Sequence, residues 1–299
     1  MNLFNLNHYG GKSIKKTKKK KKYKQHICSP KKNKYTLKFS CFTPRLMRKL
    51  KRLWDKKNPD DKIESNISDY KAVWLELRKK IKHCDNEACW LKHECIKNNI
   101  PEYHWKKLFA PKKPASWKSK PNEWLDTFNI RDVMKQWEKK YDNFFFIGPS
   151  PIDYDTITGG SCVEDELCNF NLKETIEKGI TKVGVIFNLD KHNQEGSHWV
   201  TVFLNIKKKK IYYFDSYAKK IPSQIWKFVK TVKKQGKKEG LDIKYKKIKL
   251  RHQYGESECG MYGLYFIITL LKNKPVSLFE RKIIKDEEML ELRNAYFND

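Results

Sequence analysis

The amino-acid sequence predicts an α+β fold, in which a mixed central sheet is flanked by helices and preceded by a basic helical extension. Short runs rich in β-branched and aromatic residues alternate with longer segments whose apolar residues recur at helical spacing. The chain has 299 residues, enough for one large domain and an appendage, and a formal net charge of +30. No acidic residue precedes Asp55, so much of that charge belongs to the first part of the chain.

The first 40 residues are predicted to be a disordered, lysine-rich tail, since nine lysines lie between Lys12 and Lys24. Residues 41–114 are predicted to form a helical N-terminal extension that ends in a proline-punctuated linker. The main domain should therefore span residues 115–299. The helices predicted in the extension cover residues 44–54, 69–80 and 87–98.

The main domain alternates predicted helices with predicted strands. A helix over residues 124–140 has apolar residues at helical spacing, and a strand over 182–189 is nearly all apolar. Strands over 199–206 and 210–216 should pair as a hairpin through the lysine-rich turn between them. The remaining predicted elements are a helix over 223–235, an alternating strand over 242–251, a buried apolar helix over 259–272 and a final helix over 285–296.

The apolar segments are too short for a membrane-spanning helix. The longest apolar run covers residues 261–271, whereas a span needs about 20 residues. The first residues lack the apolar stretch of a secretory signal. We therefore expect a soluble protein with no membrane partner, in which the eight cysteines are reduced thiols without a disulfide framework.

Cys84, Cys89, His93 and Cys95 are the one cluster that suggests a metal. Four, three and one residues separate them, which matches no common zinc knuckle or finger. Helical thiols facing a small core explain the cluster better than zinc does. The sequence therefore predicts no metal site and no cofactor.

Four residues in a fixed order indicate a nucleophilic thiol. His198 and Asp215 adjoin the predicted hairpin, and Gln253 lies six residues before Cys259 at the start of an apolar helix. A thiol nucleophile needs a base, the base needs an orienting acceptor, and the oxyanion needs a donor. His198, Asp215 and Cys259 are therefore the predicted catalytic residues of a cysteine hydrolase. Gln253 and the backbone N–H of Cys259 form its predicted oxyanion hole.

Each of these residues also fits an ordinary structural role. Cys259 by itself would be a buried cysteine at a helix start, and Asp215 a cap on a turn. His198 would be an exposed residue at a strand start, and Gln253 a loop residue that bonds its own backbone. His192 is a second histidine nearby, but it lies in a charged turn and no tryptophan follows it. The order and spacing of the four residues together favour the catalytic role.

The motifs around these residues resemble those of one peptidase clan. The chain has S-H-W-V around His198, Y-F-D-S around Asp215 and Q-Y-G-E-S-E-C-G up to Gly260. It is similar in these motifs to the SUMO-protease and adenovirus-protease clan of cysteine peptidases. The nearest resemblance is to the polyprotein-processing proteases of large DNA viruses such as African swine fever virus. W-L-D-T-F-N-I-R-D from Trp124 and F-I-G-P-S-P from Phe146 extend it over about residues 120–299, whereas residues 1–119 resemble no family.

The resemblance implies a papain-like core and a substrate-binding role for two tryptophans. In SUMO proteases, the tryptophans of matching W-L and H-W motifs enclose the Gly-Gly backbone before the scissile bond, which implies this role for Trp124 and Trp199. A slot between two indoles excludes side chains and so selects glycine. Core packing is the alternative role for both residues. W-L-D-T also stands here in place of the family's W-L-N-D, so the polar contacts of that asparagine lack a counterpart.

The sequence thus predicts a viral cysteine endopeptidase that cleaves after Gly-Gly in structural polyproteins or core precursors during virion maturation. Two alternatives stay open: an isopeptidase that removes SUMO or ubiquitin from host proteins, and a non-catalytic basic virion-core protein. We expect a monomer whose partners are proteins with Gly-Gly-Xaa sites, and non-specific nucleic acid bound through the tail. The expected locations are the virion and the host cytoplasm, and the lysine run also fits a nuclear address.

Overall fold

The computed structural model describes residues 28–32, 34–84, 86–101 and 107–298. The predicted disordered tail, with its lysine run from Lys12 to Lys24, lies mostly outside these residues.

The prediction of disorder is wrong for residues 28–32 and 34–40, which pack on the rest of the extension. The N–H of Ser29 donates to the carbonyl of Leu108 at 2.8 Å, and Leu37 and Phe39 contact the core of the extension. Apolar side chains interrupt the lysines in this stretch, and their burial explains why it is ordered.

The described residues form seven strands, five of which make up the central sheet in the order β1-β4-β5-β6-β7. Its two outer pairs are parallel and its two inner pairs antiparallel, so the predicted mixed sheet is confirmed. The first strand was not predicted, since one glycine and two prolines weaken its strand signal. The strands are β1 Phe144–Pro151, β2 Ile157–Thr158, β3 Ser161–Cys162, β4 Lys182–Asn188, β5 Trp199–Asn205, β6 Lys210–Phe214 and β7 Lys244–Lys247.

The helices follow the predicted order with shifted ends. Asp126 caps the helix predicted from residue 124, since its carboxylate accepts the N–H of Asn129, and this moves the helix start to Thr127. The α-helices are α1 Pro44–Lys57, α2 Tyr70–Lys80, α3 Glu87–Trp90, α4 Thr127–Lys140, α5 Asp165–Cys168, α6 Leu172–Glu177, α7 Ser223–Lys238, α8 Cys259–Leu271, α9 Leu278–Arg281 and α10 Asp286–Tyr296, with a 3₁₀ turn at Ala115–Lys118.

The helix predicted over residues 87–98 is wrong beyond Trp90. The chain continues there as successive turns, in which the N–H of Lys92 donates to Cys89 and that of Ile96 to His93. The ring Nδ1 of His93 also accepts the N–H of Cys95 at 3.4 Å. Such a side-chain bond competes with the bond that would continue a helix.

The central sheet is covered on both faces. Side chains of a strand alternate between the two faces, so Val183, Val185 and Phe187 join one core while Ile186 joins the other. Helices α5, α6 and α7 cover the first face, and α4, α8 and α10 cover the second. Helix α8 lies so close to β5 that a side-chain carbon on Gly263 would stand 2.9 Å from Thr201 Oγ1.

A third core lies within residues 41–109 and contains α1 and α2. The chain leaves it through Phe109, whose carbonyl accepts from Gln136 Nε2 at 2.9 Å. A backbone bridge then joins Lys112 to Asn298. The boundary at residue 115 stays a prediction. Among the described residues, every helix is too short or too polar to cross a membrane.

The expectation of eight reduced thiols is wrong for six of them. Disulfides join Cys28 to Cys41, Cys84 to Cys89 and Cys162 to Cys168, while Cys95 and Cys259 are free. Each pair is separated by at most 13 residues, and the turns between bring the Cα atoms within 5.3–6.3 Å. These Cα–Cα distances suit a disulfide. Each disulfide closes a short local loop, so the irregular spacing of the cysteines in the sequence did not reveal the pairs.

Candidate active site

The four predicted residues meet at one edge of the central sheet. His198 directly precedes β5 and Asp215 directly follows β6, and these strands are antiparallel neighbours. The pairing of Thr201 with Phe214 therefore brings the start of one strand beside the end of the other. Helix α8 begins at this same edge with Cys259, after the loop that carries Gln253.

Asp215 holds the ring of His198 by one short hydrogen bond. The ring Nε2 lies 2.7 Å from Asp215 Oδ1, and both side chains are buried. The carboxylate also accepts the backbone N–H groups of Tyr217 and Lys219, at 2.9 and 3.2 Å. Because Nε2 is bonded to the carboxylate, Nδ1 is the ring nitrogen that can exchange a proton with the thiol of Cys259.

The surroundings of His198 favour its charged form. Burial by itself would lower the pKa of the imidazole, but the hydrogen bonds and charges of Asp215 and Cys259 outweigh it and raise the pKa to about 9. The ring also stacks on Tyr217, with centroids 4.8 Å apart. An imidazolium that persists at neutral pH can stabilise a neighbouring thiolate.

Cys259 is the first residue of α8 and is buried. The partial positive charge of a helix start stabilises a thiolate there. The preceding Glu258 is also buried and forms a two-point ion pair with Arg293 of α10, at 2.9 and 3.1 Å. Burial raises the pKa of the Glu258 carboxyl, and the guanidinium opposes that effect. The start of α8 is thus tied to α10 directly beside Cys259.

Gln253 is fully buried and its amide is held at both ends. Its Oε1 accepts from the Ser216 hydroxyl at 2.6 Å, and its Nε2 donates to the carbonyl of Gly255 at 3.0 Å. The second bond fixes which end of the amide is the donor, because a carbonyl oxygen can only accept. An amide nitrogen carries two hydrogens, and within the described part of the chain only one is bonded. The second can therefore donate to an oxyanion.

Two residues that the sequence analysis missed hold the loop between Gln253 and Cys259. The carboxylate of Asp286 accepts the N–H groups of Tyr254 and Gly255, at 3.0 and 2.8 Å. The hydroxyl of Tyr217 donates to the Gly255 carbonyl at 2.7 Å. Tyr217 therefore contacts His198 through its ring and the loop of Gly255 through its hydroxyl. Asp286 comes from a distant part of the chain, and Tyr217 lies two residues after Asp215 without a spacing that marks its role.

The two tryptophans differ in exposure. Trp124 is 42% exposed, whereas Trp199 is 6% exposed and belongs to the core. The indole N–H of Trp199 donates to the carbonyl of Leu125 at 2.9 Å, which fixes the residue next to Trp124. The Leu125 side chain in turn packs on Gly260, where an added side-chain carbon would stand 3.0 Å from it. These contacts connect Trp124 to both the histidine strand and the nucleophile helix.

The cysteines of the N-terminal extension do not form a free metal site. Cys84 and Cys89 are joined to each other, which removes two of the four sulfur and nitrogen ligands considered for zinc. Cys28, Cys41 and Glu87 also place their ligand atoms within 4.8 Å of one another, but those two sulfurs form a disulfide. Ser40, Trp74 and the Cys41 N–H already donate to the Glu87 carboxylate.

A second histidine–carboxylate pair lies outside the site. His192 Nδ1 is 2.8 Å from Asp153 Oδ2, and the backbone N–H of His192 donates to the same carboxylate. The histidine side chain is 37% exposed. The loop of His192 is thereby fastened to the segment after β1.

The fold and the site define a cysteine-type peptidase. Residues 127–299 match the profile described as the Ulp1 protease family, C-terminal catalytic domain, and the chain belongs to this family. The non-catalytic alternative is accordingly set aside. The confirmed class agrees with the resemblance inferred from the sequence motifs.

Two viral proteins are similar to this chain. A protein of Acanthamoeba polyphaga mimivirus that is named as a thiol protease is 38% identical over 185 residues, which cover 60% of this chain and 59% of the mimivirus protein. The match thus spans less than two thirds of that relative. An African swine fever virus protein that is named as a SUMO-1 cysteine protease is 25% identical over 252 residues, which cover 80% of this chain and 92% of that protein.

The crystal structure of the African swine fever virus protease has the same fold. It superposes with a TM-score of 0.64 at 23% identity and covers 91% of this chain and 95% of its own. Coverage of this extent reaches well into the N-terminal extension. The expectation that similarity ends near residue 120 is therefore wrong, because the extension shares its fold with a relative although its sequence carries no motif.

Proposed function

We propose that this protein is a cysteine endopeptidase that cleaves after Gly-Gly in structural precursors of a virus particle. Cys259 is the nucleophile, His198 the base, Asp215 the residue that orients the base, and Gln253 with the Cys259 N–H the oxyanion hole. The observation that carries the assignment is the 2.7 Å bond between His198 Nε2 and Asp215, which leaves Nδ1 for the thiol at the start of α8.

The reaction proceeds through an acyl-enzyme. The thiolate of Cys259 attacks the scissile carbonyl carbon, and the oxyanion forms beside Gln253. The C–N bond then breaks as the imidazolium of His198 gives its proton to the leaving amine. Water adds to the thioester and passes a proton to His198, and the thiolate departs. No residue changes its net state over the cycle.

Selection of Gly-Gly rests on Trp124, with Trp199 as its support. The exposed ring of Trp124 is set beside the nucleophile by the bonds of Leu125 to Trp199 and by its packing on Gly260. A flat indole in this position would leave room for a glycine backbone and little room for a side chain. This arrangement supports the slot between two indoles, with Trp199 as its buried wall.

A peptide series tests this selection. Gly-Gly peptides should be cleaved well, while Ala-Gly and Gly-Ala analogues should lose most of their kcat/KM because an added methyl group meets an aromatic wall. Trp124→Ala should narrow the difference between these peptides. Phe128→Ala, which removes the next exposed aromatic of the same segment, is the matched control and should leave it unchanged. Equal rates on Gly-Gly and Ala-Ala peptides would contradict the proposed slot between the two indoles.

Cleavage of SUMO conjugates is the second candidate function, since the African swine fever virus relative is named as a SUMO-1 protease. The same thiol and oxyanion hole would serve an isopeptide bond. Purified SUMO and ubiquitin conjugates should be incubated beside Gly-Gly-containing virion precursors, with Cys259→Ala as the blank. Preference for the precursors supports the endopeptidase, and preference for a conjugate supports deconjugation. The virion and the host cytoplasm are the locations in which the first function would operate.

A further inference from the structure

Charge is distributed unequally between the two edges of the central sheet. The edge with the active site, called here the active edge, comprises the connections 122–126, 152–156, 189–198, 215–222 and 248–258. These segments contain 5 lysines or arginines and 9 acidic residues. The opposite edge, called here the basal edge, comprises residues 139–143, 178–182, 206–210, 237–244 and 272–274. It contains 13 lysines and 3 acidic residues.

The sheet topology places the basal segments together. Strands β1, β4, β6 and β7 all begin at this edge and β5 ends there. Helix α8 ends at the same place, since Lys182 Nζ donates to the carbonyl of Leu271 and to Asn273 Oδ1. The hairpin turn joins β7 through the bond from the Lys244 N–H to the Lys209 carbonyl.

Lysines of the basal edge crowd one another. The pKa of Lys272 is lowered, first by burial and then by the charges of Lys140 and Lys274. The pKa of Lys182 is lowered in the same way, by burial and then by Lys208 and Lys207. Lysines at helix ends have an ordinary explanation, because they complement the helix dipole. The four exposed lysines of turn 207–210 lie on a hairpin, so that explanation does not cover them.

We propose that the basal edge docks the enzyme on the phosphates of duplex nucleic acid and points the active edge away from the bound polymer. Five strands at about 4.8 Å spacing make an edge about 19 Å wide, before the flanking helices are added. With both strands counted, a duplex carries a phosphate charge about every 1.7 Å along its axis, so about eleven charges lie along this width and those on the near side face the edge. This surface belongs to the folded domain and is separate from the lysine-rich tail.

The chemistry of the edge favours nucleic acid over a lipid surface. Membrane-binding surfaces that insert into the bilayer expose aromatic or aliphatic side chains, whereas purely basic surfaces hold lipid by charge alone. Trp137 at this edge is instead buried, and the ammonium groups of Lys140 and Lys272 lie over its ring at 5.2 and 5.1 Å. The basal segments contain no arginine, the residue that most often reads guanine. Docking should therefore be insensitive to base sequence.

The first test compares two full-length variants with equal charge. The basal variant carries Lys207→Gln, Lys208→Gln and Lys274→Gln, and the control carries Lys191→Gln, Lys220→Gln and Lys249→Gln at the active edge. All six side chains are exposed. Affinity for a duplex of random sequence is measured against salt concentration. The basal variant should bind more weakly, and its salt slope should fall by about 0.9 for each phosphate that is no longer neutralised. Equal weakening in both variants, or none in the basal variant, would overturn the proposal.

The second test examines orientation. Saturating duplex should leave kcat/KM for a short peptide unchanged, because the active edge faces away from the polymer. Competitive inhibition by the duplex would place it at the active edge and overturn the proposal. Vesicles containing phosphatidylserine provide the other comparison. If the basal substitutions weakened vesicle binding and left duplex binding intact, the surface would belong to a membrane and the proposal would be overturned. Neither test depends on the Gly-Gly specificity proposed above.

Discussion

The two halves of the active site are held in place by different interactions. His198 and Asp215 adjoin neighbouring strands, so the backbone hydrogen bonds of the sheet fix their separation. Gln253 lies in a loop outside the strand ladder. Its backbone N–H donates to the Ser216 carbonyl at 3.0 Å, the Ser216 hydroxyl holds its side chain, and Asp286 holds the N–H of Gly255 in the same loop. The sheet-borne half should therefore tolerate remote substitutions, whereas the loop-borne half depends on single hydrogen bonds. Four variants test this difference, from the largest expected effect to the smallest.

Cys259→Ala removes the nucleophile, on which both halves act. Peptide cleavage should fall by about 10⁶, the loss seen when a protease loses its nucleophile. The melting temperature should change little, since only a sulfur atom is lost from a helix start. Cys95→Ala is the matched control because Cys95 is the other free, buried cysteine among the described residues. Substantial cleavage by Cys259→Ala would contradict the whole assignment.

Gln253→Ala removes the side-chain donor of the loop-borne half. The kcat should fall by about 10²–10³, with a smaller change in KM, because the deleted bond forms mainly in the transition state. Gln224→Ala at the start of α7 should have no effect on either constant. A change in KM alone would show that Gln253 binds substrate and does not stabilise the oxyanion.

Asp215→Asn changes the sheet-borne half. An asparagine oxygen can still accept from His198, but its amide would then face the N–H of Lys219, which now donates to Oδ2 at 3.2 Å. A misplaced donor costs about 1–3 kcal/mol, so kcat/KM should fall roughly 10- to 100-fold. The carboxylate also helps to raise the pKa of His198 to about 9.

The pH dependence of Asp215→Asn follows from that pKa. The imidazolium is present below its pKa and is lost as the pH rises through about 9. Removing the carboxylate charge lowers the pKa, so the alkaline limb of the pH–rate profile should move to lower pH. Asp153→Asn alters the pair with His192 and should leave the profile in place. If the alkaline limb of Asp215→Asn did not move, the limb would not report the titration of His198.

Tyr217→Phe keeps the ring against His198 and deletes only the bond to the Gly255 carbonyl. Net hydrogen-bond energies of about 0.5–1.5 kcal/mol predict a loss of roughly 2- to 10-fold in kcat, with the pH profile unchanged. Tyr254→Phe, on an exposed neighbour in the same loop, is the control. A shift of the alkaline limb in Tyr217→Phe would show that the hydroxyl acts on the base and not on the loop.

The sheet-borne half could be predicted from sequence because it depends on local signals. Strand alternation placed His198 and Asp215 at adjoining strand ends, and an apolar helix start marked Cys259. The supports could not be predicted in this way. Asp286 and Arg293 belong to α10, near the end of the sequence, and they contact the loop only after the chain has folded.

The N-terminal extension was harder to predict than the catalytic domain for a related reason. Its third predicted helix ends at Trp90, and successive turns replace the remainder. Apolar residues separated by three or four positions fit such turns as well as they fit a helix. Sequence periodicity therefore overstated the helical content of the extension. In the catalytic domain, the longer strands and helices have sequence patterns that fit fewer alternative secondary structures.

The ion pair between Glu258 and Arg293 also bears on protein synthesis. All four residues of the proposed site precede α10 in the chain, whereas Arg293 and Asp286 lie within it. A nascent chain that has left the ribosome only as far as Leu271 thus has its nucleophile, base and oxyanion donor without the partners of Glu258 and Gly255. The order of translation therefore makes these supporting contacts the last part of the site to form.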